Sequence, residues 1–301
     1  MVDPLSQAVT LLRPRAPSSK VVSAAGRWRV TRQEHGRPFY CAVLEGTSGL
    51  VVGDRALELQ GGDFVLIPAA FDFVLTSPEP PRAGEETPHT LLANREMRHG
   101  RRTGLPDVRM LVGYCTFTSP NADLLVSLLP QLVHVRDQPR LSTLVELVVD
   151  ECRADRPARD VVLAGLLEVL FVEAFRSFDG ATAPAGLLRG LADKQVAVAL
   201  RRMHEDPSQH WTAGRLAAEA SLSRSTFFAR FDQTVGTSPM DYLTAWRIAI
   251  AKDLLTRDRM PVTEVARRVG YRSSSAFSVA FARHVGMPPS AFAADLTDPT
   301  V

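Results

Sequence analysis

The chain has 301 residues, 45% hydrophobic and 23% charged, with 35 Lys and Arg against 33 Asp and Glu. That length suits two domains with cores of their own, and the near-neutral charge establishes no nucleic-acid binding by itself. The longest apolar stretch, Leu124 to Val135, is interrupted by Ser127, Pro130, Gln131 and His134 and is too short to span a bilayer. No basic segment followed by a long apolar run lies near Met1, so a secretory signal is not expected and a cytoplasmic protein is. Cys41, Cys115 and Cys152 are odd in number and widely spaced, which predicts reduced, mostly buried thiols rather than a metal or redox pair.

The first third reads as strands. Trp28 to Arg32, Phe39 to Glu45, Leu50 to Val52, Ala56 to Leu59, Asp63 to Ile67 and Phe71 to Leu75 are short β-rich runs. Turn signals at Gly46, Gly53-Asp54, Gly61-Gly62 and Pro68 punctuate them. Such spacing, with no helical period between the runs, predicts an antiparallel sandwich or barrel. Ser77 to Gly104 reads mostly as loop, and Val108 to Phe117 as a further strand. After Pro120 the period changes to a helical one. Leu141 to Cys152 and Val161 to Phe178 are helices, the second so apolar that it needs burial on more than one face. Turn formers from Asp179 to Gly186 make a linker, and everything after Leu187 is helical.

Within this helical region a single pattern occurs twice. Ala220 to Phe231 and Gly270 to Phe281 each carry a small residue, a bulky apolar one, a polar cluster and then two aromatics at i and i+4. In the first copy Thr212 caps a short helix, Ser221-Leu222 turns, and Ser223 caps a second helix. Phe227 and Phe231 point inward, Phe228 lies beside them, and Arg224, Ser225, Thr226 and Ala229 face outward. In the second copy Thr263 caps, Gly270-Tyr271 turns and Ser273 caps. Phe277 and Phe281 face the core; Arg272, Ser274, Ser275 and Ser278 face out. Pro239 to Thr256 joins the copies as one helix with an apolar stripe at Tyr242, Leu243, Trp246, Ile250 and Leu254. Short helix, tight turn and polar-faced helix make the helix-turn-helix layout, and two units at fixed separation suit successive major grooves about 34 Å apart.

The series from Trp211 to Ala294 resembles the DNA-binding domain of AraC/XylS-type regulators. It includes Leu216-Ala-Ala, Ser223-Arg-Ser, Gly236-Thr-Ser-Pro239, Tyr242-Leu to Trp246-Arg247, Tyr271-Arg-Ser and Gly286-Met-Pro-Pro289. The resemblance implies sequence-specific binding of double-stranded DNA and transcription regulation, most often activation through RNA polymerase. The polar helix starts and outward faces put DNA contact on Ser223, Arg224, Ser225, Thr226, Phe228 and Ala229, and on Arg272, Ser273, Ser274, Ser275 and Ser278. Val279 and Phe292-Ala293 stand where the family often has charge. The second face is therefore expected to anchor on phosphates while the first reads bases.

The β-rich segment resembles the cupin-like sensor domain of the same regulators. Tyr40 to Gly46, Gly61 to Pro68 and Gly104 to Tyr114 carry the likeness. Metal-binding cupins place four ligands where this chain has Gln33, His35, Phe39 and Phe73, so no cofactor and no metal is expected. His89, His99 and Cys115 could form an unrelated metal site, but their spacing is unremarkable, and the two histidines read as loop or surface residues. A barrel lined by Trp28, Phe39, Tyr40, Phe71 and Phe73 suits a mostly apolar effector, with Trp28, His35, Phe39, Phe73 and Arg109 as contacts and Arg29 as a further polar candidate. The expected class is α+β multidomain. It has a cupin-like antiparallel β-barrel over 1–135, a helical dimerisation segment and linker over 136–186, and an all-α double helix-turn-helix domain over 187–301. The expected protein is a homodimeric regulator, not an enzyme and without a membrane segment. The competing readings are a metal-dependent cupin enzyme fused to a DNA-binding domain, and a regulator that needs no ligand.

Overall fold

The computed structural model describes residues 3–33, 37–69, 72–82, 85, 87–92, 96–154, 156–180 and 183–295. Helix α1 (Pro4–Leu12) leads into strands β1 (Pro14–Ala25), β2 (Arg29–Arg32), β3 (Phe39–Val52), β4 (Arg55–Gln60), β5 (Phe64–Ile67), β6 (Phe73–Thr76), β7 (His89–Leu91), β8 (Met97–Gly100) and β9 (Val108–Phe117). Helix α2 (Ala122–Ser127), strand β10 (Val133–Val135) and helices α3 (Pro139–Arg153) and α4 (Arg159–Ser177) follow. The chain ends in α5 (Leu187–Ala192), α6 (Lys194–Glu205), α7 (Ala213–Glu219), α8 (Arg224–Val235), α9 (Pro239–Thr256), α10 (Val262–Arg268), α11 (Ser274–Val285) and α12 (Pro289–Asp295).

These elements form two compact units, each discontinuous in sequence. One holds 13–118 and 131–178; the other holds 1–12, 119–130 and 179–301. The spans 1–135, 136–186 and 187–301 cut across them. Helices α3 and α4 pack on β1 in the barrel unit, whereas α1 and α2 lie in the helical unit.

In the barrel unit, the sheet runs β10-β5-β3-β9-β1-β8-β7, with β4 and β6 on β3 and β2 on β6. Strand β3 is the spine. Phe39 to Ala42 pair with β5 and β9, while Leu50 to Val52 pair with β4 and β6. Gly46, expected to end a strand, lies inside β3 beside a register shift opposite β9. Its φ is +82°, and a Cβ there would fall 1.9 Å from the Asp107 carbonyl oxygen. A bulge replaces the expected turn and bends one strand across both halves of the sheet. The pleat sends Phe39, Cys41, Val43, Leu50 and Val52 into one core with Phe73, Leu75, Met110 and Val112. Tyr40 points the other way, its ring centroid 6.2 Å from that of Phe171 on α4, so the opening of β3, Phe39 to Val43, is buried on both faces.

Three strand expectations change. β1, β7, β8 and β10 were not foreseen: β7, β8 and β10 are only three or four residues long, and β1 opens on Pro-Arg-Ala-Pro. β1 runs parallel to β8 while pairing antiparallel with β9, so the sheet is not wholly antiparallel. Of the expected Phe71 strand, Phe73 to Thr76 is strand, and Phe71 lies outside the described residues.

In the helical unit, Thr212, Ser223, Ser238 and Ser273 each accept a backbone N–H of the helix they open. Thr263 does not cap: α10 begins at Val262, after Pro261, whose fixed φ suits a helix start. Helix α9 is not striped on one side. Tyr242, Leu243, Trp246, Ile248, Ala249, Ala251 and Leu255 are all buried. Ile250 and Leu254 are partly buried against a cluster of Val265, Val269, Phe277 and Phe281. A helix that serves a core on each side needs apolar residues around most of its circumference.

Candidate nucleic-acid interface and barrel cavity

The two repeated units share a backbone device. After α7 and after α10 the chain takes one left-handed residue, Ser221 at φ +55° and Gly270 at φ +83°. The next N–H, of Leu222 or Tyr271, donates 2.9 Å to a carbonyl five residues back, that of Ala217 or Ala266. Ser221, not Ala220, is thus the counterpart of Gly270. The second turn is one residue longer, since Ser223 caps α8 but Ser273 caps α11. Arg224 therefore opens α8, whereas Arg272 stands in the turn before its helix.

Within each second helix the aromatic pair forms the inner face. The rings of Phe227 and Phe231 lie 5.6 Å apart, those of Phe277 and Phe281 5.5 Å apart, and all four are fully buried. On the outer face of α8, Ser223, Arg224, Ser225, Thr226, Phe228 and Ala229 are exposed. In the second unit Arg272, Ser273 and Ser275 are exposed, while Ser274 and Ser278 are half-buried. Phe228 and Val279 are hydrocarbon left in solvent, at 47% and 72% exposure. Ser223 Oγ accepts the Thr226 N–H at 3.2 Å, and Ser273 Oγ accepts the Ala276 N–H at 3.2 Å. Both serines hold the helix ends that they place at the surface.

The arginines divide by what they touch. Arg230 donates 2.7 Å to Asp193, and Arg267 and Arg268 meet Glu264 at 2.7 and 3.0 Å. Arg247 reaches the carbonyls of Pro207 and Gln209 at 2.7 and 2.9 Å and lies 5.8 Å from the Tyr271 ring centroid, which steadies the second turn. Among the described residues, Arg224 and Arg272 make no ion pair, so their charge is uncommitted. The unit is also pinned from within by a buried polar cluster. His204 stacks on Trp246 at 4.0 Å, and its Nε2 and Nδ1 lie 2.7 Å from Tyr242 Oη and 2.9 Å from Gln7 Oε1 of α1. Burial pushes the His204 pKa down to about 3.

In the barrel, Trp28, Phe39 and Phe73 line a cavity of about 70 Å³ together with Met110, Val112 and Leu75. The Phe39 and Phe73 ring centroids are 4.3 Å apart. Phenyl rings have no lone pair to give, so two of the four cupin ligand positions cannot hold a metal. Among the described residues no group of three His, Cys, Asp or Glu is placed to bind one. His89 and His99 are a cross-strand pair, rings 6.1 Å apart, and Cys115 is fully buried. Burial raises the thiol pKa of Cys41, to about 12, and that of Cys115.

The other expected effector contacts are not in this cavity. Arg109 alternates with Met110 onto the opposite face, 3.2 Å from Glu45 and 3.6 Å from Glu96, beside an open groove of about 490 Å³ along α3. Arg29 donates to the Pro81 carbonyl at 3.3 Å. His35 lies outside the described residues. The cavity instead takes Lys20, Arg32 and His99 as its basic lining; Lys20 and Arg32 were not singled out from the sequence, and His99 was read as a loop or surface residue. Each lies two positions from a core-facing residue of its own strand, Val22, Val30 or Met97, so strand phase was the signal that pointed to them.

Residues 3–178 match the Cupin family and residues 216–295 a helix-turn-helix domain family. A protein of Streptomyces lividans, named as an AraC-like transcription regulator, is 36% identical over 96% of this chain and 97% of its own length. A second so named, from Streptomyces antibioticus, is 34% identical over 96% and 97%. Among solved structures, the DNA-binding domain of AdpA in complex with a target DNA is 32% identical. It covers 36% of this chain and 99% of that one, with a TM-score of 0.33.

Proposed function

Since the chain belongs to the AraC-like transcription regulators, we propose that it works in the cytoplasm as a homodimer that recruits RNA polymerase to promoters. The exposed N-terminal turns of α8 and α11 are its DNA-contacting surfaces. The observation that carries this is the pair of uncommitted guanidiniums, Arg224 and Arg272, each beside a capped and exposed helix start. Such ends present hydroxyls, backbone N–H groups and positive charge to a groove. Arg224, on the helix itself, is placed to reach a guanine edge, and Phe228 can cover a thymine methyl. Arg272, in the turn, suits a phosphate.

Dimerisation is assigned to the outer side of α3 and α4. There Leu147, Val161, Val162 and Val169 are exposed at 49%, 72%, 43% and 50%, a patch that a second copy would cover. A small effector in the barrel cavity would bias the regulator through chain connections. Strands β1 and β9 both line the cavity; β1 follows directly on α1, and β9 runs on towards α2. Both helices are anchored in the helical unit, α1 by Gln7 on His204 and the segment before α2 by Asn121 Nδ2 on the Ala249 carbonyl at 2.8 Å.

Phe39 and Phe73, phenyl rings at two of the four metal positions, argue against the fused-enzyme reading. Selecting bound sites from a random DNA pool, then footprinting the best one, tests the assignment. A bound site whose protection is unaltered by Arg224→Ala together with Arg272→Ala would refute it.

A further inference from the structure

The barrel cavity is apolar along most of its wall and cationic at one side. Lys20, Arg32 and His99 come from three different strands, β1, β2 and β8, and converge on the same small space. All three are half-buried. Among the described residues none has a carboxylate partner, while neighbouring Arg98, Arg101 and Arg109 find carbonyl or carboxylate oxygens. Burial and neighbouring basic groups both act on the ionisation of Lys20 and His99. Burial first, then the charge of Arg32, holds Lys20 below its usual range. Burial, then His89, Arg32 and Lys20, takes His99 down to about 4.

Uncompensated basic groups at the edge of an apolar cavity are costly, and folded chains normally pair them. A chain that keeps three together has a site waiting for negative charge. The rest of the wall sets what else the ligand carries. Phe39, Phe73, Leu75 and Val112 offer no hydrogen bond to a polar body, and the volume of about 70 Å³ admits a ring or a short chain rather than a nucleotide or sugar phosphate.

The geometry points to a small organic monocarboxylate as the ligand of this cavity, its hydrocarbon moiety between Phe39, Phe73 and Met110 and its carboxylate on Lys20, Arg32 and His99. This rests on the effector reading above and narrows it to a chemical class. The carboxylate offsets the charges of Lys20 and Arg32 and can accept a hydrogen bond from the His99 ring, so charge and hydrocarbon are recognised together. Inorganic anions satisfy only the first condition and neutral hydrocarbons only the second.

Calorimetry on the full chain with benzoate and hexanoate, beside benzamide, hexanamide and inorganic phosphate, tests this. The carboxylates are expected to bind, and their amides on the order of tenfold to a hundredfold more weakly, the worth of a charge-assisted hydrogen bond. Arg32→Gln and Lys20→Met should erase that preference while leaving the melting temperature of the unliganded protein unchanged or higher. Equal binding of acid and amide would overturn the carboxylate class yet leave an effector site in the barrel. Binding of phosphate alone would overturn the hydrocarbon half. If no compound binds, the class fails. The effector reading is then judged separately, by whether Val112→Phe, which fills the cavity, alters promoter output in a protein that melts like the parent.

Discussion

His204 Nε2 and the Tyr242 hydroxyl lie 2.7 Å apart inside the helical unit. Burial raises the Tyr242 pKa, so the phenol keeps its proton and donates it to Nε2. Nδ1 then carries the imidazole hydrogen and donates to Gln7 Oε1. This arrangement needs a neutral ring, consistent with a folded pKa of about 3 against about 6.5 in an unfolded chain. The folded pKa is depressed, so the stabilisation is complete above pH 6.5 and drains away as pH falls towards 3. The loss is about 1.4 kcal/mol per pH unit. Urea denaturation at pH 7 and pH 5 should show His204→Gln losing about 2 kcal/mol less than the parent over that interval. Parallel pH profiles would refute a buried neutral His204.

The two turns should respond oppositely to glycine chemistry. Gly270→Ala places a Cβ 2.4 Å from the Ser208 carbonyl oxygen at a φ of +83°, so a loss of about 2–4 kcal/mol is expected. Ser221→Gly relieves a left-handed residue at φ +55° and should be neutral or stabilising by up to about 1 kcal/mol. Thermal melts of the two variants decide it. A Gly270→Ala protein as stable as its parent would mean the turn is not held as described.

Arg224 and Arg272 should fail differently on DNA. Arg224→Ala is expected to cost about 1–3 kcal/mol on the selected site and to relax preference at one base position. Arg272→Ala should weaken all sites alike and lower the slope of log affinity against log salt by about 1. Repeating the selection and the salt titration with each variant separates the two. Loss of base preference in Arg272→Ala alone would reverse the division of labour.

Carboxylate binding should be visible at His99. The groups that face it are His89, Arg32 and Lys20, all basic, and with burial they hold its pKa at about 4. A bound anion adds the opposite charge and must raise that value, so benzoate binding near pH 5 takes up protons. An NMR titration of the His99 ring with and without benzoate reads the shift. A downward shift would place the carboxylate elsewhere.

The repeat from Ala220 to Phe281 was legible because spacing carries it. Aromatics at i and i+4 fix an inner helix face whatever lies around them, and Ser223 and Ser273 cap through bonds to residues three positions on. The one-residue difference between the turns was not legible. Lining up the aromatics sets Ala220 against Gly270, and only the backbone shows that Ser221 takes the left-handed position. In the barrel, Trp28, Phe39 and Phe73 were legible as lining residues by their size. Arg109 was read onto the wrong face, because the phase of a strand depends on bulges and partners that one segment does not display.

The sequence by itself determined the two folding patterns, the capped helix pairs and the filling of two cupin metal positions by phenylalanine. Each follows from local period or residue chemistry. The tertiary structure decided which segments share a core. It set α1 and α2 with the helical unit rather than with the barrel strands that flank them, and brought Lys20, Arg32 and His99 from three strands to one cavity. Burial and charge at such places are sums over residues far apart in the chain, and folding alone brings those residues together.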